Sequence, residues 1–323
     1  MITHARILLS DQTDPHHNLA LEDALLTQLP AGQALLFLWQ NRHTVVIGAG
    51  QNAWRECHIE RLRDEGGTLA RRSSGGGAVY HDMGNLNFSF VVPKDDYDVD
   101  RQLRVVLGAV QSLGINAEKS GRNDLTVGGR KFSGNAFRLM KHSALHHGTL
   151  LVDVDMDRIG RYLNVDPKKM QAKGVKSVPA RVVNLSDMGS VTIDSMRDAL
   201  ITAFQAEYGT AETIPLDQAK HELDGLRARI AHYQSWDWNY GASPQGEVNL
   251  YHRFDWGGLE LSFRLENGIM RHVQVFTDAM DERLKPSLET ALEGSPMDAD
   301  ALAARVLPLN HPEIVDFLRH TGL

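Results

Sequence analysis

Three consecutive glycines, Gly75 to Gly77, lie in the stretch RRSSGGGAVYHDMGNLNFSF, with a short predicted strand before them and another after them. Glycine permits positive φ and lets backbone N–H groups approach a ligand closely. The stretch is not a P-loop, because the pattern GxxxxGK[ST] is absent and Lys131 follows Arg130 rather than glycine. It is not a dinucleotide fingerprint either, because that motif requires a helix after the glycines. A ligand-binding wall and a purely structural bend remain as interpretations.

The hydrophobic pattern predicts strands and helices that follow one another without a regular β-α-β rhythm, which favours an α+β fold. Asp14 and Pro15 predict the start of a helix that runs to Leu29. Residues 85–92 alternate, which predicts a strand with apolar side chains on one face and polar ones on the other. Further predicted strands cover residues 5–10, 34–39, 44–47, 68–71, 125–127, 131–138 and 145–152, and further helices cover residues 54–63, 101–113, 155–163, 195–208 and 216–233.

The character of the sequence changes at residues 235–246, SWDWNYGASPQG. Aromatic residues, glycine and proline are concentrated there, which predicts a domain boundary. We place a larger domain at residues 1–243 and a smaller one at residues 247–323. The smaller one contains predicted strands at 248–254, 259–265 and 269–276, and predicted helices at 281–293, 297–305 and 312–320.

Composition and charge exclude several classes of protein. The net charge of −7 argues against a general nucleic-acid binder, and no run of 18 apolar residues predicts a membrane span. The N-terminus lacks the apolar core of a signal peptide, and a single cysteine, Cys57, excludes a disulfide framework, so we expect a cytoplasmic protein. Residues 122–181 carry twelve Lys and Arg against five Asp. This basic segment suits an anionic nucleotide or an acidic partner protein, although a solvated basic surface would give the same count.

A second cluster, SGRNDLTVGGRKFSGNAF at residues 120–137, predicts a hairpin across the turn at Gly128-Gly129. The hairpin places Asn123 and Asp124 at the start of one strand and Lys131 at the start of its partner. Aspartate is a suitable magnesium ligand beside phosphates, and a fixed lysine suits a carboxylate or phosphate oxygen. An ordinary surface salt bridge would use the same two charged side chains.

Other reactive side chains give weaker signals. His142, His146 and His147 have a spacing that could suggest a metal site, but the strand-like residues around them favour histidines that hydrogen-bond at the edge of a pocket. Cys57 falls in a predicted helix and is interpreted as a buried structural thiol. No Ser/His/Asp or paired-glutamate constellation is recognisable. A glycine loop, arginine, aspartate and lysine without a nucleophile suit in-line attack of a bound carboxylate on ATP.

Four stretches together resemble lipoate–protein ligase A, in its two-domain bacterial form, within the biotin/lipoate protein ligase superfamily. They are RRSSGGGAVYHDMGNLNFSF, GRNDLTVGGRKFSGNAF, HHGTLLVDVDMDRIGRYLN and KKMQAKGVKSVPARVVNLSD. The similarity extends from LFLWQNRHTVVIGAGQNAWREC to FDWGGLEL and VQVFTD, which is nearly the whole chain. The resemblance implies a large mixed-sheet catalytic domain at residues 1–243 and a small α+β accessory domain at residues 247–323.

The resemblance also implies a two-step reaction. Lipoate and MgATP give lipoyl-AMP and pyrophosphate, and the lipoyl group then passes to a lysine of a lipoyl domain. The implied acceptors are E2 subunits of 2-oxoacid dehydrogenases and the glycine-cleavage H protein. We expect a monomer without a structural metal, a nucleic-acid partner or a membrane. Lys131 matches the catalytic lysine, which contacts both ATP and the lipoate carboxyl group.

The other site residues follow from the same match. Residues 173–182 resemble a loop that closes over the adenylate. Asn123 and Asp124 are expected beside phosphate or Mg²⁺. The remaining expected ATP-binding residues are Arg72, Gly77, Ala78, Val79 and Tyr80, and the remaining expected lipoate-binding residues are Ser74, Gly75, Gly76 and His147.

Two departures from the family pattern are visible. The turn TVGG between Asp124 and Lys131 is short, which could alter the rim of the pocket, and Ala49 stands where an arginine is familiar. Three alternative functions stay open. One is an ATP-independent octanoyl or lipoyl transferase of the same superfamily, and a second is an enzyme that only transfers the lipoyl group from preformed lipoyl-AMP. The third is a regulatory module that binds lipoyl-AMP without catalysis. Transferases of the superfamily typically use a cysteine or a differently placed lysine, and Cys57 lies in the wrong segment for that role.

Overall fold

The computed structural model describes residues 1–121, 124–164, 182–241 and 248–320. Strands dominate its first half and also begin its C-terminal part. The strands are β1 (His4–Leu9), β2 (Gln33–Trp39), β3 (Thr44–Ile47), β4 (Thr68–Arg71), β5 (Val79–His81), β6 (Asn85–Pro93), β7 (Glu118–Ser120), β8 (Asp124–Val127), β9 (Arg130–Leu139), β10 (Ser143–Leu151), β11 (Ala211–Ile214), β12 (Val248–Phe254), β13 (Gly257–Glu266) and β14 (Ile269–Thr277).

Helices separate the strands at irregular intervals. The first begins as predicted, because the Asp14 side chain accepts hydrogen bonds from the N–H groups of His16 and His17. The helices are α1 (Pro15–Thr27), α2 (Ala53–Glu56), α3 (Ile59–Asp64), α4 (Val99–Ser112), α5 (Met156–Tyr162), α6 (Ile193–Tyr208), α7 (Leu216–Glu222), α8 (Leu226–Gln234), α9 (Leu284–Leu292), α10 (Ala299–Val306) and α11 (Pro312–His320).

An eight-stranded mixed sheet forms the centre of the larger domain, in the order β11-β1-β2-β6-β10-β9-β8-β7. Strand β1 is parallel to β2 and β11, whereas β6 is antiparallel to both of its neighbours, β2 and β10. The predicted α+β class is therefore confirmed. Strand β3 lies in a second sheet, β4-β3-β5. The turn at residues 40–42 thus carries the chain from one sheet to the other and does not pair β2 with β3.

Two predicted helices are interrupted. The helix predicted over residues 54–63 is divided into α2 and α3, because Cys57 is extended and forms an isolated bridge with Leu163. The helix predicted over residues 216–233 is divided into α7 and α8, because Gly225 has φ +66°. Both interruptions depend on the backbone of a single residue, which helical periodicity does not report.

Strand β6 separates two different environments. Phe90 stacks on Phe204 of α6, with ring centroids 6.1 Å apart, inside an apolar core. Its neighbour Ser89 points to the other face, where its hydroxyl donates a hydrogen bond to Glu22 of α1. The predicted alternation of β6 is present, but the polar face is buried as well. Buried polar side chains on a central strand need partners, so this face is a candidate for a site.

The C-terminal domain has its own apolar core, formed by β13, β14 and the helices α9, α10 and α11. It docks on the larger domain through both backbone and side chains. The Thr277 N–H donates to the Gly50 carbonyl oxygen at 2.8 Å. Arg55 lies 3.4 Å from a Glu260 carboxylate oxygen, and its guanidinium stacks over the Tyr251 ring.

The predicted domain boundary at residues 243–247 lies outside the described residues. The strands up to residue 241 form the eight-stranded sheet and the sheet β4-β3-β5, and those from residue 248 form the sheet β12-β13-β14. Among the helices of the described ranges, none is both long enough and apolar enough to cross a membrane.

Replacing Phe204 by alanine removes a fully buried ring that stacks on Phe90 and Tyr208. We expect the free energy of unfolding to fall by about 3–5 kcal/mol, because a cavity adds to the lost burial. Urea denaturation followed by circular dichroism measures the change. Leu139 is 56% exposed in the same domain, and Leu139→Ala should change the same quantity by less than about 0.5 kcal/mol. Equal losses in the two variants would contradict the assignment of this core.

Candidate active site

The glycine loop, residues 72–78, connects β4 to β5 and is held from inside by an arginine. Arg72 is buried, and its guanidinium donates to the carbonyl oxygens of Gly75 and Gly77 at 2.6 and 2.9 Å. Its Nε donates to Ser74 Oγ at 3.1 Å. Burial lowers the pKa of Arg72 to about 10, which still leaves it protonated at neutral pH. The loop therefore surrounds a fixed positive charge.

A serine, a histidine and a glutamate meet behind this loop. Ser74 Oγ lies 2.7 Å from His147 Nε2, and His147 Nδ1 lies 2.8 Å from Glu22 Oε1. All three side chains are buried. Because Arg72 also donates to the Ser74 hydroxyl, the arrangement ties the glycine loop to β10 and α1 and does not present an exposed nucleophile.

This constellation could not be predicted from sequence spacing, because His147 is 73 residues from Ser74 and 125 residues from Glu22. Glu22 was not predicted at all. Its local signal is a glutamate within the apolar stretch LALEDALL of α1, on a helix that packs into the sheet. His146, on the opposite face of β10, hydrogen-bonds to Gln102 and Asn135. Burial lowers the pKa of His146 to about 3, so it is neutral there.

The predicted hairpin is present, with β8 antiparallel to β9 across Gly128-Gly129. Lys131 Nζ lies 2.7 Å from Asp124 Oδ1, and the two side chains are 36% and 27% exposed, so a ligand can reach both. The next described segment is anchored at the same point, since the Val183 N–H donates to the Lys131 carbonyl oxygen at 2.9 Å. Asn123, predicted beside this pair, lies outside the described residues.

Strand register places Lys131 on the same face of the large sheet as the glycine loop. A Cβ added to Gly134 would lie 2.8 Å from Lys131 Nζ, so the lysine side chain crosses over Gly134. The Gly134 N–H is 3.4 Å from the Thr149 hydroxyl of β10. Thr149 is two residues from His147, and residues two apart on a strand share a face. His147 in turn holds Ser74, so the lysine and the loop border one region.

The C-terminal domain covers two of the glycines. The Gly76 N–H donates to the Ala279 carbonyl oxygen at 3.3 Å. A Cβ added to Gly75 would lie 2.6 Å from that same oxygen, and one added to Gly76 would lie 3.1 Å from Met280 Sδ. Gly76 also has φ +89°, a conformation that favours glycine. The glycines are therefore required both by the backbone and by the domain packed against it.

Two family models match the chain. The model of the lipoyl protein ligase A/B catalytic domain matches residues 14–205, and that of the bacterial lipoate protein ligase C-terminus matches residues 243–316. The chain belongs to the lipoyl protein ligase A/B family. The resemblance predicted from the sequence and the two-domain layout of the bacterial ligases are thereby confirmed.

Solved structures of lipoate ligases are similar over most of the chain. P. falciparum LipL1 in complex with lipoate has a TM-score of 0.84 and 29% identity, and the match covers 98% of each chain. The bi-partite lipoate protein ligase of Thermoplasma acidophilum, described with its E2 lipoyl domain, has a TM-score of 0.67 and 30% identity over 76% of this chain and 100% of that one. A lipoate-protein ligase A bound with ATP has a TM-score of 0.65 and 28% identity, over 74% of this chain and 99% of that one.

In this member of the ligase family, the arginine before Arg72 is also buried. Arg71 is 1% exposed, and its side chain donates hydrogen bonds to five carbonyl oxygens, those of Gly48, Ala49, Gln51, Trp238 and Asn239. Ala49, a departure from the pattern expected from the sequence, acts here through its backbone, since its N–H donates to the Ser74 carbonyl oxygen at 2.9 Å. The departure at Ala49 therefore leaves a support of the glycine loop in place.

Apart from Arg72 and Lys131, the residues that the resemblance predicts for ATP binding lie at the end of the loop and on β5. Gly77, Ala78 and Val79 are partly exposed, whereas Tyr80 is buried. The Tyr80 hydroxyl lies 3.4 Å from Arg158 Nη1, and its ring packs against that of Tyr162. Of the predicted adenylate loop at residues 173–182, only Val182 belongs to the described residues, where it bridges to Lys131.

Replacing Gly48 by alanine would place a methyl group 2.3 Å from the Gly76 carbonyl oxygen. The glycine loop must then shift, and we expect lipoylation activity to fall about 100-fold, because small displacements of substrate-binding groups have large effects on rate. Mass spectrometry of a lipoyl-domain acceptor measures the activity. Gly108 of α4 has nothing within 4 Å of an added Cβ, so Gly108→Ala should keep full activity. Wild-type activity in Gly48→Ala would contradict a role of this packing.

Proposed function

We propose that the protein is a lipoate–protein ligase that activates lipoate with MgATP and transfers the lipoyl group to a lysine of an acceptor domain. The observation that supports this most directly is the accessible Lys131–Asp124 pair, on the same sheet face as the glycine loop, whose Arg72 and Ser74 are buried beside His147 of β10. A similar solved structure is described as bound with ATP, and another as in complex with lipoate.

In the first step, a carboxylate oxygen of lipoate attacks the α-phosphorus of ATP. A new O–P bond forms, the bond from the α-phosphorus to the bridging oxygen breaks, and pyrophosphate leaves with that electron pair. The two substrates are both anionic, so they repel each other as they meet. The Lys131 ammonium offsets this repulsion, and Asp124 holds the ammonium in place. Such chemistry needs alignment and charge neutralisation, and no protein nucleophile.

In the second step, the acceptor lysine amine attacks the acyl carbon of lipoyl-AMP. An amide bond forms, the acyl–oxygen bond breaks, and AMP leaves with the electron pair while the amine loses a proton. Lys131 is suited to hold the acyl carbonyl oxygen as negative charge develops there. Its partial exposure suits this step, because the incoming amine belongs to another protein.

We assign the nucleotide to the side of Arg72, Gly77, Ala78, Val79 and Tyr80, and the acyl group to the side of Ser74, Gly75, Gly76 and His147. The fixed positive charge of Arg72 supports the first assignment. Because its N–H groups donate to carbonyl oxygens of the loop, Arg72 acts by holding the shape of the loop and by giving it a positive charge. The histidine, fixed by Glu22, supports the second assignment.

Magnesium would enter with ATP. Across the described ranges, no three His, Cys, Asp or Glu side chains come close enough to hold a metal ion by themselves. This fits Mg²⁺, which takes most of its ligands from substrate phosphates and water and needs one or two carboxylates from the protein. Asp124 is the accessible carboxylate beside Lys131 and would supply that contact. Bound there, the ion would neutralise charge on the phosphate oxygens.

The acceptors we propose are lipoyl domains of 2-oxoacid dehydrogenase E2 subunits and the glycine-cleavage H protein. The similar Thermoplasma acidophilum ligase is described together with its E2 lipoyl domain, which supports the first of these. We further propose that the protein acts as a cytoplasmic monomer, without nucleic acid or membrane as a partner.

The alternative is an octanoyl or lipoyl transferase that works without ATP. An enzyme of that kind with a covalent mechanism needs an activated nucleophile. The single cysteine of the chain, Cys57, is 2% exposed, and burial raises the pKa of its thiol to about 12. A protonated, enclosed thiol is unreactive. The ligase is therefore the better supported function.

Removing the lysine ammonium tests the first step. In Lys131→Ala we expect lipoate-dependent release of pyrophosphate from ATP to fall at least about 1000-fold, because a positioned charge is lost from the transition state. A coupled phosphate assay measures the release, and circular dichroism should show an unchanged fold. Lys119 pairs with Asp100 on the surface, and Lys119→Ala should react like the wild type. Near-normal release from Lys131→Ala would refute the assignment.

Removing magnesium separates the ligase from the transferase. With EDTA in excess, we expect modification of a lipoyl domain by lipoate and ATP to stop, and to return when MgCl₂ is added. Mass spectrometry of the acceptor domain measures this. In parallel, octanoyl carried on an acyl carrier protein is offered without ATP. Efficient transfer from that carrier, unaffected by EDTA, would favour the transferase instead.

A further inference from the structure

The buried polar face of β6 extends beyond the glycine loop. Ser89 is directly opposite His147 in the β6–β10 ladder, and residues directly opposite each other share a face. Asn85 and Asn87 lie on that same face, four and two residues from Ser89. They are buried, at 0% and 2% exposure. Three polar side chains of one central strand thus lie beside the histidine to which we assign the acyl group.

Hydrogen bonds connect this face to the loop without a break. Glu22 accepts from both His147 and Ser89, and the Trp39 indole Nε1–H donates to Ser89 Oγ at 3.0 Å. Trp39 is directly opposite Asn87 in the β2–β6 ladder, and its ring packs edge-on against that of His81, with centroids 6.3 Å apart. The hydrogen bonds from the glycine loop therefore reach Trp39. His81, which packs on Trp39, and Asn87, which lies opposite it, mark the inner end of this path.

At this inner end, polar atoms lack partners. Within the described part of the chain, no hydrogen-bond partner is found for His81 Nε2, Asn87 Nδ2 or Asn85 Oδ1. The Asn85 amide donates to Asn87 Oδ1 at 2.9 Å. This one hydrogen bond pairs one polar group of each amide and leaves the other group of each unpaired. Buried polar atoms without partners are costly and rare in proteins. Three such atoms, one of which is the acceptor Asn85 Oδ1, point to a bound group that meets them.

The tautomer of His81 follows from its neighbours. Asn18 Nδ2 donates to Asn41 Oδ1, so the other end of the Asn41 amide, Nδ2, faces His81 Nδ1 at 3.2 Å. His81 Nδ1 is then the acceptor. Burial, together with the charge of Arg72, lowers the pKa of His81 to about 3, so the ring is neutral. A neutral ring that accepts at Nδ1 carries its proton on Nε2. Both His81 Nε2 and Asn87 Nδ2 are therefore donors.

We propose that His81 and Asn87 are specificity-determining residues that donate hydrogen bonds to the sulfur atoms of the dithiolane ring at the end of the acyl chain. The inference rests on the proposed function. Lipoate and octanoate have the same carboxyl head, and their chains differ in that lipoate carries two sulfurs. Sulfur is a weak acceptor, whereas a hydrocarbon end accepts nothing. A site with buried donors binds the substrate that pairs them better than an analogue that leaves them unpaired.

The ratio of kcat/KM for lipoate to kcat/KM for octanoate tests the proposal, with pyrophosphate release as the readout. In Asn87→Leu we expect this ratio to fall about tenfold, because lipoate loses a partner and octanoate gains an apolar wall. The ratio is measured within one enzyme preparation, so a partly inactive variant does not distort it. His81→Phe keeps an aromatic ring, removes the other donor and should change the ratio in the same direction.

Gln102 provides the matched control. It is a buried amide on the opposite face of the same sheet, where it hydrogen-bonds to His146 at 3.0 Å. Gln102→Leu should leave the lipoate-to-octanoate ratio unchanged, even if it lowers stability. If the ratio depended on buried polar groups in general, it would change to the same extent in all three variants. That result would also overturn the proposal.

The possible results distinguish a failure of the specificity proposal from a failure of the proposed function. Active Asn87→Leu and His81→Phe enzymes with the wild-type ratio would overturn the specificity proposal and leave the ligase function standing. A wild-type enzyme that releases no pyrophosphate with either acid would overturn the proposed function and, with it, the inference. A ratio that falls in both variants and stays constant in Gln102→Leu supports the donor pair.

Discussion

A buried arginine, which within the described ranges donates its hydrogen bonds to backbone carbonyl oxygens, joins the pieces from which the site is built. Arg71 donates to carbonyl oxygens of two segments, the loop at residues 48–51 and the turn at Trp238–Asn239 that precedes the link to the C-terminal domain. Burial lowers the pKa of Arg71 to about 10, yet the group stays charged at neutral pH, so these carbonyl dipoles must replace its water. Since the glycine loop begins at the next residue, both segments are fixed to its start.

Fixed in this way, the loop at residues 48–51 contacts Arg71, the glycine loop and the C-terminal domain. The loop at residues 48–51 supports the glycine loop through Ala49 and receives the C-terminal domain through Gly50. The glycine loop is held by its own Arg72, by the histidine–glutamate pair and by the C-terminal domain. Lys131 lies at the more open edge of the same face. Under the proposed assignment the acyl side is closed and the lysine side is open, as transfer to another protein requires.

The sequence predicted those features that local chemistry decides. The Asp14 cap and the hairpin of Asp124 and Lys131 follow from residues that are neighbours in the chain, and glycines at φ +55° and +74° make the hairpin turn. The resemblance supplied the family and the two domains. Long-range contacts were not predictable: Glu22 meets His147 across 125 residues, and β3 joins a sheet of its own. The hydrophobic pattern of the sequence does not show hydrogen bonds from a side chain to carbonyl groups far away in the chain, such as those of Arg71.

The central claim is that Lys131 activates the acyl group on the face that the glycine loop borders. A crystal structure with bound lipoyl-AMP tests it most directly. We predict that Lys131 Nζ leaves Asp124 or shares it, and lies within about 3 Å of an oxygen of the acyl-phosphate linkage. We also predict that the acyl chain runs past His147 into the sheet. An adenylate bound elsewhere, with Lys131 still paired only to Asp124, would contradict the account.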